Sequence, residues 1–409
     1  MMSWVVIHEF IEVTFQLLRH KVLTGCGSCR KCLRIIYKRV AIMTIPLIFK
    51  RSIPSLKQTV HSKAFYDEIT DYRKLLEGKG LPVIFSLEHL CLLAGVNAHN
   101  MKYIVESSRI NHYKRFKLRK KKGGFRVIQT PTEELKYLQR WVLFNILEKQ
   151  PSHNACKGFD KSASIKQNAE VHLQRPAILK MDFLRFFDSI NEKQVYRIFR
   201  GLGYHGNVAV ALAKICTIVP DENFCKSFKK SEQHLLLNTQ LHGLGILPQG
   251  APTSPKISNL IGYAIDNRFM ALASKHHCSY TRYADDLTFS GNLENLCVIK
   301  KIAPRIIKDE KLFLNPAKTK LLKKGAPFFV TGLSVSNESV TIPRKRKIDI
   351  EHHLHHCLKN GVVNHLIHSG IKNRNFKDWL FGNIAFVYSV EKELGEKYFN
   401  DFNKIQWPI

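Results

Sequence analysis

The stretch YTRYADDLTFSG, residues 280–291, decides how the chain is read. Its Tyr, Thr, Leu and Phe are the residue choice of a half-buried strand, yet Asp285 and Asp286 stand side by side in its middle. Two unit charges about 4 Å apart repel by roughly 4 kcal/mol at an effective dielectric near 20, and burying either carboxylate adds a desolvation cost. Successive side chains of a strand point to opposite faces, so both acids can point one way only where the backbone turns sharply, as at a hairpin tip. A divalent cation, a basic neighbour such as Arg282, or exposure to water must offset the repulsion.

A third acid lies far upstream. RPAILKMDFLRFFDSI, residues 175–190, reads as a strand ending at Asp182 and running through a turn into a helix from about residue 191. If the two strands are neighbours, three carboxylates converge on one sheet edge. Three carboxylates without a cluster of His or Cys suit a hard, oxygen-seeking ion, so Mg²⁺ is favoured over Zn²⁺. Two such ions roughly 4 Å apart can activate an attacking hydroxyl and stabilise the departing oxygen in phosphoryl transfer.

The whole chain allows this chemistry. It has 409 residues, 44% hydrophobic and 10% aromatic, which place it among globular proteins with room for two or three domains. A net charge of +31, from 64 Lys and Arg against 33 Asp and Glu, calls for a polyanionic partner. Nucleic acid suits it better than a membrane surface, because the basic residues run through the whole chain. The longest apolar run, VAIMTIPLIF at 40–49, is about half a membrane span and contains Pro46. No secretory signal is recognised, and ten scattered cysteines read as reduced thiols, so a cytoplasmic protein is expected.

Residues 1–60 form an extension of unassigned role, with Met43 an alternative start. Cys26, Cys29 and Cys32 could hold zinc with His20, but a second C-x-x-C pair is missing, so plain cysteines in a helical extension are expected. Residues 61–110 have helical spacing. RFKLRKKKGGFRVIQTP, residues 115–131, reads as two basic strands joined at Gly123 and Gly124. A helix capped by Thr132 is expected over 132–149, and another from Ser254 as N-cap, with Pro255 in its first turn, to about 274. Residues 297–311 read as a helix, KLFLNPAKTKLL as strand and turn, PFFVTGLSVS as a strand, and the basic last 65 or so residues as helices. The expected class is α+β: a mixed sheet carrying acidic loops, followed by an all-helical tail.

The order D-F-L-R-F-F, L-P-Q-G-A-P-T-S-P, Y-A-D-D-L and N-P-A-K-T-K resembles four successive motifs of the reverse transcriptase palm, over about residues 100–345. NAEVH at 168–172 and VTG at 330–332 are similar to two signatures of the retron-type enzymes. The resemblance implies a right-hand polymerase with fingers and palm over 61–330 and a helical, RNA-binding thumb over 331–409. It makes Asp182 and Asp285 the principal ligands of two Mg²⁺ ions, with Asp286 completing the triad and the Phe183 backbone carbonyl as a further ligand. It assigns nucleotide contacts to Lys120 (with Lys121 and Lys122 as rivals), Arg126, Gln249, Gly250 and Lys318 (with Lys320 as a rival), and sugar selection to Phe187. RNA contacts fall to Asn168 and His172, with capping and packing of a turn as their alternative, to Val330, Thr331 and Gly332, and to Arg344, Lys345, Arg346 and Lys347. His352, His353, His355 and His356 read as a basic surface helix in preference to a metal site.

What the retron resemblance implies is DNA synthesis on a cognate structured noncoding RNA, primed from a guanosine 2′-hydroxyl and yielding RNA-linked single-stranded DNA (msDNA). It further implies deoxynucleoside triphosphates as substrates, a role in antiphage defence, and a separately encoded effector protein. The alternatives are a group II intron-like or other bacterial reverse transcriptase, and a noncatalytic RNA-binding scaffold of the same fold.

Overall fold

The computed structural model describes residues 63–119, 125–161, 163–226 and 242–408, with positions 228, 232 and 236. Lys120, Lys121, Lys122, Gly123, Gly124, Met43, His20, Cys26, Cys29, Cys32 and the whole of 1–60 lie outside the described residues. The chain divides into two compact units, Met1–Asp71 and Tyr72–Ile409. Of the first, only the opening of helix α1 (Lys63–Gly78) is described.

In the second unit, local signals set most element ends. Helix α2 (Leu87–Ala94) begins where Ser86 accepts a hydrogen bond from the His89 amide at 3.1 Å, and Asn97 caps α3 (Ala98–Glu106) in the same way. Strands β1 (Tyr113–Arg119) and β2 (Phe125–Pro131) form the expected antiparallel hairpin, with Arg119 opposite Phe125. Helix α4 (Glu133–Asn145) is shorter than expected and is followed by a separate 3₁₀ turn, Leu147–Lys149. Thr132 is its N-cap residue, but the Thr132 side chain makes no capping bond.

After α5 (Ile165–Glu170) comes the central sheet: β3 (Ala177–Asp182), β4 (Ser279–Tyr283), β5 (Asp286–Gly291) and β6 (Lys320–Lys323), ordered β4-β5-β3-β6. All three strand pairings are antiparallel, where a mixed sheet was expected; a parallel bridge joins Cys156 to Arg282 at the edge. The alternation of side chains divides its residues between two cores. Leu179 and Met181 of β3, Tyr280 of β4 and Leu287 and Phe289 of β5 bury into a cluster with Phe269, Ile265, Leu296 and Ile299. Those residues come from helices α8 (Ser254–Lys275) and α9 (Leu293–Asp309), packed beside α6 (Glu192–Leu202) and α7 (Gly206–Ile215). Each such side chain withdrawn from water contributes about 1.5–3 kcal/mol.

Two helix starts differ from expectation. The N-cap of α8 is Thr253, while Ser254 lies within the helix and its hydroxyl donates to the Pro248 carbonyl at 2.7 Å. Helix α9 starts at Leu293, four residues before the expected 297, because β5 ends at Gly291 and the chain enters the helix directly through Asn292 as N-cap residue. The segment PFFVTGLSVS folds back on itself as a hairpin of β7 (Phe329–Val330) and β8 (Leu333–Ser334). Its two loop residues, Thr331 and Gly332, have φ of 47° and 83°, the requirement of a tight turn matched to strand twist. Val330 and Leu333 join Ile178 and Ala169 in the second core, which continues into helices α10 (Arg344–Asn360), α11 (Val362–His368), α12 (Phe376–Val390) and α13 (Lys392–Lys404).

Candidate active site

Strand β4 ends at Tyr283, which pairs with Asp286, so Ala284 and Asp285 form a two-residue tip. Ala284 has a φ of 56°, a left-handed conformation unfavourable for a residue with a Cβ. Hydrogen bonds hold it there. Arg282 donates to the Ala284 carbonyl at 3.2 Å, and the Phe183 amide donates to the Asp285 carbonyl at 3.0 Å. Asp286 faces Asp182 directly across β3 and β5, so the three carboxylates that the sequence left far apart are brought together. The Asn315 amide donates to the Asp182 carbonyl at 2.8 Å, tying the end of β3 to the segment before β6.

Arg282 does not pair with either acid of the tip. It is fully buried and directs its guanidinium to Asp266 on α8, with contacts of 2.7 and 2.8 Å, while also donating to Asn259 at 3.3 Å. Tyr280 donates to the same Asp266 carboxylate at 2.8 Å. A Cβ at Gly262 would lie 2.5 Å from the guanidinium, so this position on α8 needs glycine. Burial pulls the Arg282 guanidinium down, but the Asp266 charge outweighs it and the net shift is upward. The sequence could flag Arg282 as an odd residue on an inward strand position, but its partner Asp266 could be found only in space.

Burial raises the carboxyls of Asp182, Asp285 and Asp286 above the ordinary range, and they raise one another: Asp286 acts on Asp182, Asp182 on Asp285, and Asp285 on Asp286. Lys318 opposes the shift at Asp182, donating to both of its carboxylate oxygens at 2.8 and 2.7 Å. Burial lowers the Lys318 ammonium, yet the bond to Asp182 outweighs that and leaves it above its usual value. Of the two candidate lysines, Lys318 therefore touches the carboxylates, whereas Lys320 belongs to β6 and is exposed. Three desolvated, mutually repelling oxygen donors are the donor set that suits a hard divalent cation. Among the described residues, no group of three or more His, Cys, Asp or Glu side chains is arranged to hold a metal ion.

Around the acids, Phe186 is buried and stacked on Phe183 at 4.8 Å, while Phe187 stays half-buried, edge-on to Phe159 at 6.3 Å. Gly250 has a φ of 129°, and a Cβ there would lie 2.8 Å from the Gln129 carbonyl. The Gln129 amide in turn donates to the Gln249 carbonyl at 2.7 Å. Close approach to strand β2 thus requires glycine at this position. Arg126 is exposed on β2 and its charge lowers Asp285.

The two short signature motifs meet inside the protein. His172 is fully buried, hydrogen-bonded at 2.7 Å to Ser290 of β5 and at 2.7 Å to Thr281 of β4. Asn168 is buried and donates to Thr331 at 3.5 Å; Val330 is fully buried. These three side chains lie inside the protein: His172 is bonded to the sheet and Asn168 links α5 to the β7–β8 turn. Gly332 is exposed and Thr331 partly so. Of the basic run opening α10, Arg344 and Lys345 are exposed. Arg346 lies over the Phe386 ring at 4.1 Å and donates to Asn383, and Lys347 pairs with Glu391 at 2.6 Å. No helix among the described residues is long and apolar enough to cross a membrane.

Comparison with known proteins bears on the same region. Residues 118–335 match the family model described as reverse transcriptase (RNA-dependent DNA polymerase). The chain is 30% identical to the Retron Ec86 reverse transcriptase of Escherichia coli, over 81% of this chain and 92% of that protein. It is 32% identical to the Retron Mx65 reverse transcriptase of Myxococcus xanthus, over 78% of this chain and 71% of that one. Among solved structures, a telomerase from Candida albicans in complex with a fragment of telomeric RNA is similar with a TM-score of 0.40 and 13% identity, over 71% of this chain and 54% of that one.

Proposed function

Because the chain belongs to the retron reverse transcriptases and is therefore an RNA-directed DNA polymerase, we propose that it copies a structured noncoding RNA of its own into RNA-linked single-stranded DNA (msDNA), starting from a guanosine 2′-hydroxyl. The observation that carries this reading is the meeting of Asp182, Asp285 and Asp286 at one sheet edge, desolvated and beside Lys318. Asp182, Asp285, Asp286 and the Phe183 carbonyl would hold two divalent ions, Mg²⁺ by the hardness of the donors. When bound, these would supply the Lewis acidity that activates the attacking hydroxyl and stabilises the leaving pyrophosphate.

The remaining roles belong to the chain's own residues. Arg282 fixes the tip so that Asp285 and Asp286 are preorganised and need not move during reaction. Arg126 lies where its charge reaches the tip and suits the triphosphate, with Lys120, outside the described residues, as a second nucleotide contact by the family resemblance. Gln249 and Gly250, anchored to β2, line the nucleotide's approach. Phe187, half-buried and five residues after Asp182, would oppose a ribose 2′-hydroxyl and favour deoxynucleotides. Lys318 is placed to give a proton to the departing pyrophosphate. Residues 61–330 serve as fingers and palm and 331–409 as thumb, with Thr331, Gly332, Arg344 and Lys345 available to RNA phosphates and Arg346 and Lys347 shaping that surface. A cytoplasmic setting, a separate effector protein and a part in antiphage defence complete the proposal.

The test is DNA synthesis by purified protein with RNA from the adjoining locus, Mg²⁺ and deoxynucleotides. A product resistant to release from the RNA by alkali-free denaturation is expected. Absence of synthesis, or synthesis unaffected by Asp285→Asn, would sink the proposal.

A further inference from the structure

The sheet face that bears the carboxylates also bears a second pair of like charges. Lys180 stands opposite Lys320 across β3 and β6, and opposite Thr288 across β3 and β5. Directly opposed residues of an antiparallel pair share a face, with Cβ atoms about 5 Å apart. Lys180 also precedes Asp182 by two residues, so it lies on the same face as that acid. Two steps along a strand span about 7 Å, a distance of the order of one nucleotide's backbone.

The next residue of that face, Ile178, is sealed in the second core with Val330 and Leu333. The face therefore runs from the acids to the two lysines and then closes against an apolar wall. Lys180 is half-buried and Lys320 exposed. The tip of the β4–β5 hairpin lies beyond Asp286 at one end of this face, and the two lysines lie toward the other end, on the far side of Asp182. With the triphosphate at the tip, as the proposed polymerase reading has it, the lysines lie on the other side of the carboxylates along β3. Two ammonium groups at this spacing can both donate to one phosphate, a charge-assisted contact.

We propose that Lys180 and Lys320 form a binding site for the phosphate of the strand being extended that immediately precedes the acceptor nucleotide. The inference rests on the polymerase reading, and it assigns to the palm sheet itself a grip on the acceptor strand. The test uses the full chain and a primer annealed to an RNA template, the primer carrying a neutral methylphosphonate at its last linkage or at one deep in the duplex. Lys180→Ala/Lys320→Ala is expected to raise the KM for template–primer about tenfold, with the KM for deoxynucleotide unchanged. Wild-type protein should lose a similar factor on the primer neutral at its last linkage, and the double variant should lose nothing further there. Lys180→Arg/Lys320→Arg should recover most of the loss, since the charge returns.

A rise confined to the deoxynucleotide KM would overturn the proposal in favour of a triphosphate contact. Variant and methylphosphonate effects that multiply independently would overturn it as well. Fluorescence anisotropy of the same duplexes on protein without nucleotide makes the same comparison whether or not DNA is made. Absence of synthesis by wild-type protein would therefore count against the polymerase reading alone.

Discussion

Replacing Asp266 by Asn is expected to be among the most damaging single changes near the tip, although Asp266 touches no substrate. In the native fold Asp266 and Arg282 are both fully buried, and the carboxylate accepts from Arg282 at 2.7 and 2.8 Å and from Tyr280 at 2.8 Å. An Asn offers one acceptor oxygen and turns an amide donor toward a guanidinium that cannot lose its proton. Leaving a buried charge without its counter-charge costs about 3–5 kcal/mol. Removing both charges, as in Arg282→Met/Asp266→Leu, should recover at least about 2 kcal/mol of that loss, because desolvation of the ions is then avoided. Extension activity should stay down about tenfold or more in the double variant, because the hydrogen bond to the Ala284 carbonyl is gone and a bond to a charged donor is worth about 1.5–3 kcal/mol. Urea unfolding followed by fluorescence, beside single-nucleotide extension under saturating substrate, separates the two quantities. A cost below about 1 kcal/mol for Asp266→Asn, or full activity in the double variant, would refute the assignment of Arg282 as the strut of the tip.

Three further outcomes are expected. With the three acids held above the ordinary carboxylate range, the stabilisation they contribute is complete below that range and is lost as pH rises through their folded values. Metal-free protein in EDTA should therefore melt at a lower temperature at pH 7 than the Asp285→Asn variant does, and added Mg²⁺ should raise the melting temperature of wild type more than that of the variant. His172 is pushed down to about 3 by burial and then by the charges of Arg175 and Lys180, so it stays neutral in the fold at physiological pH. His172→Phe should cost about 2–4 kcal/mol by stranding the Ser290 and Thr281 hydroxyls. It should also remove the part of the acid sensitivity that wild type shows as pH falls from 6.5 toward 3, a comparison made by denaturant unfolding across that window. Gly250→Ala, which forces a Cβ to within 2.8 Å of the Gln129 carbonyl at a φ of 129°, should cost about 1–3 kcal/mol and raise the KM for deoxynucleotide, measured by steady-state extension.

Much of this molecule is written in local signals. The alternation in YTRYADDLTFSG and AILKMD is a backbone periodicity, so both strands and a sharp turn at the acidic pair could be read before any contact was known, while the Tyr283–Asp286 pairing that leaves two residues at the tip came from the fold. The acidic pair was legible for a different reason: adjacent carboxylates in an apolar run are costly, and their presence points to a cation. Boundaries were less legible. Thr132 and Ser254 have the composition of caps, but whether a hydroxyl bonds its own helix or, as Ser254 does, the Pro248 carbonyl depends on neighbours that arrive from elsewhere.

Burial is where sequence and fold part most clearly. His172 and Arg282 are polar residues enclosed because hydroxyls or a carboxylate from distant segments satisfy their ring and guanidinium nitrogens, and Asn168 is enclosed with its amide on the Thr331 hydroxyl. Likewise, YADD carries its own turn and its own acids, yet nothing within those residues sets Asp286 opposite Asp182. That register comes from the pairing of β3 with β5, and it is held by a buried guanidinium whose counter-charge lies on α8. Residue type and spacing are properties of the chain, whereas electrostatic partnership is a property of distance, which exists only after the strands and helices have packed.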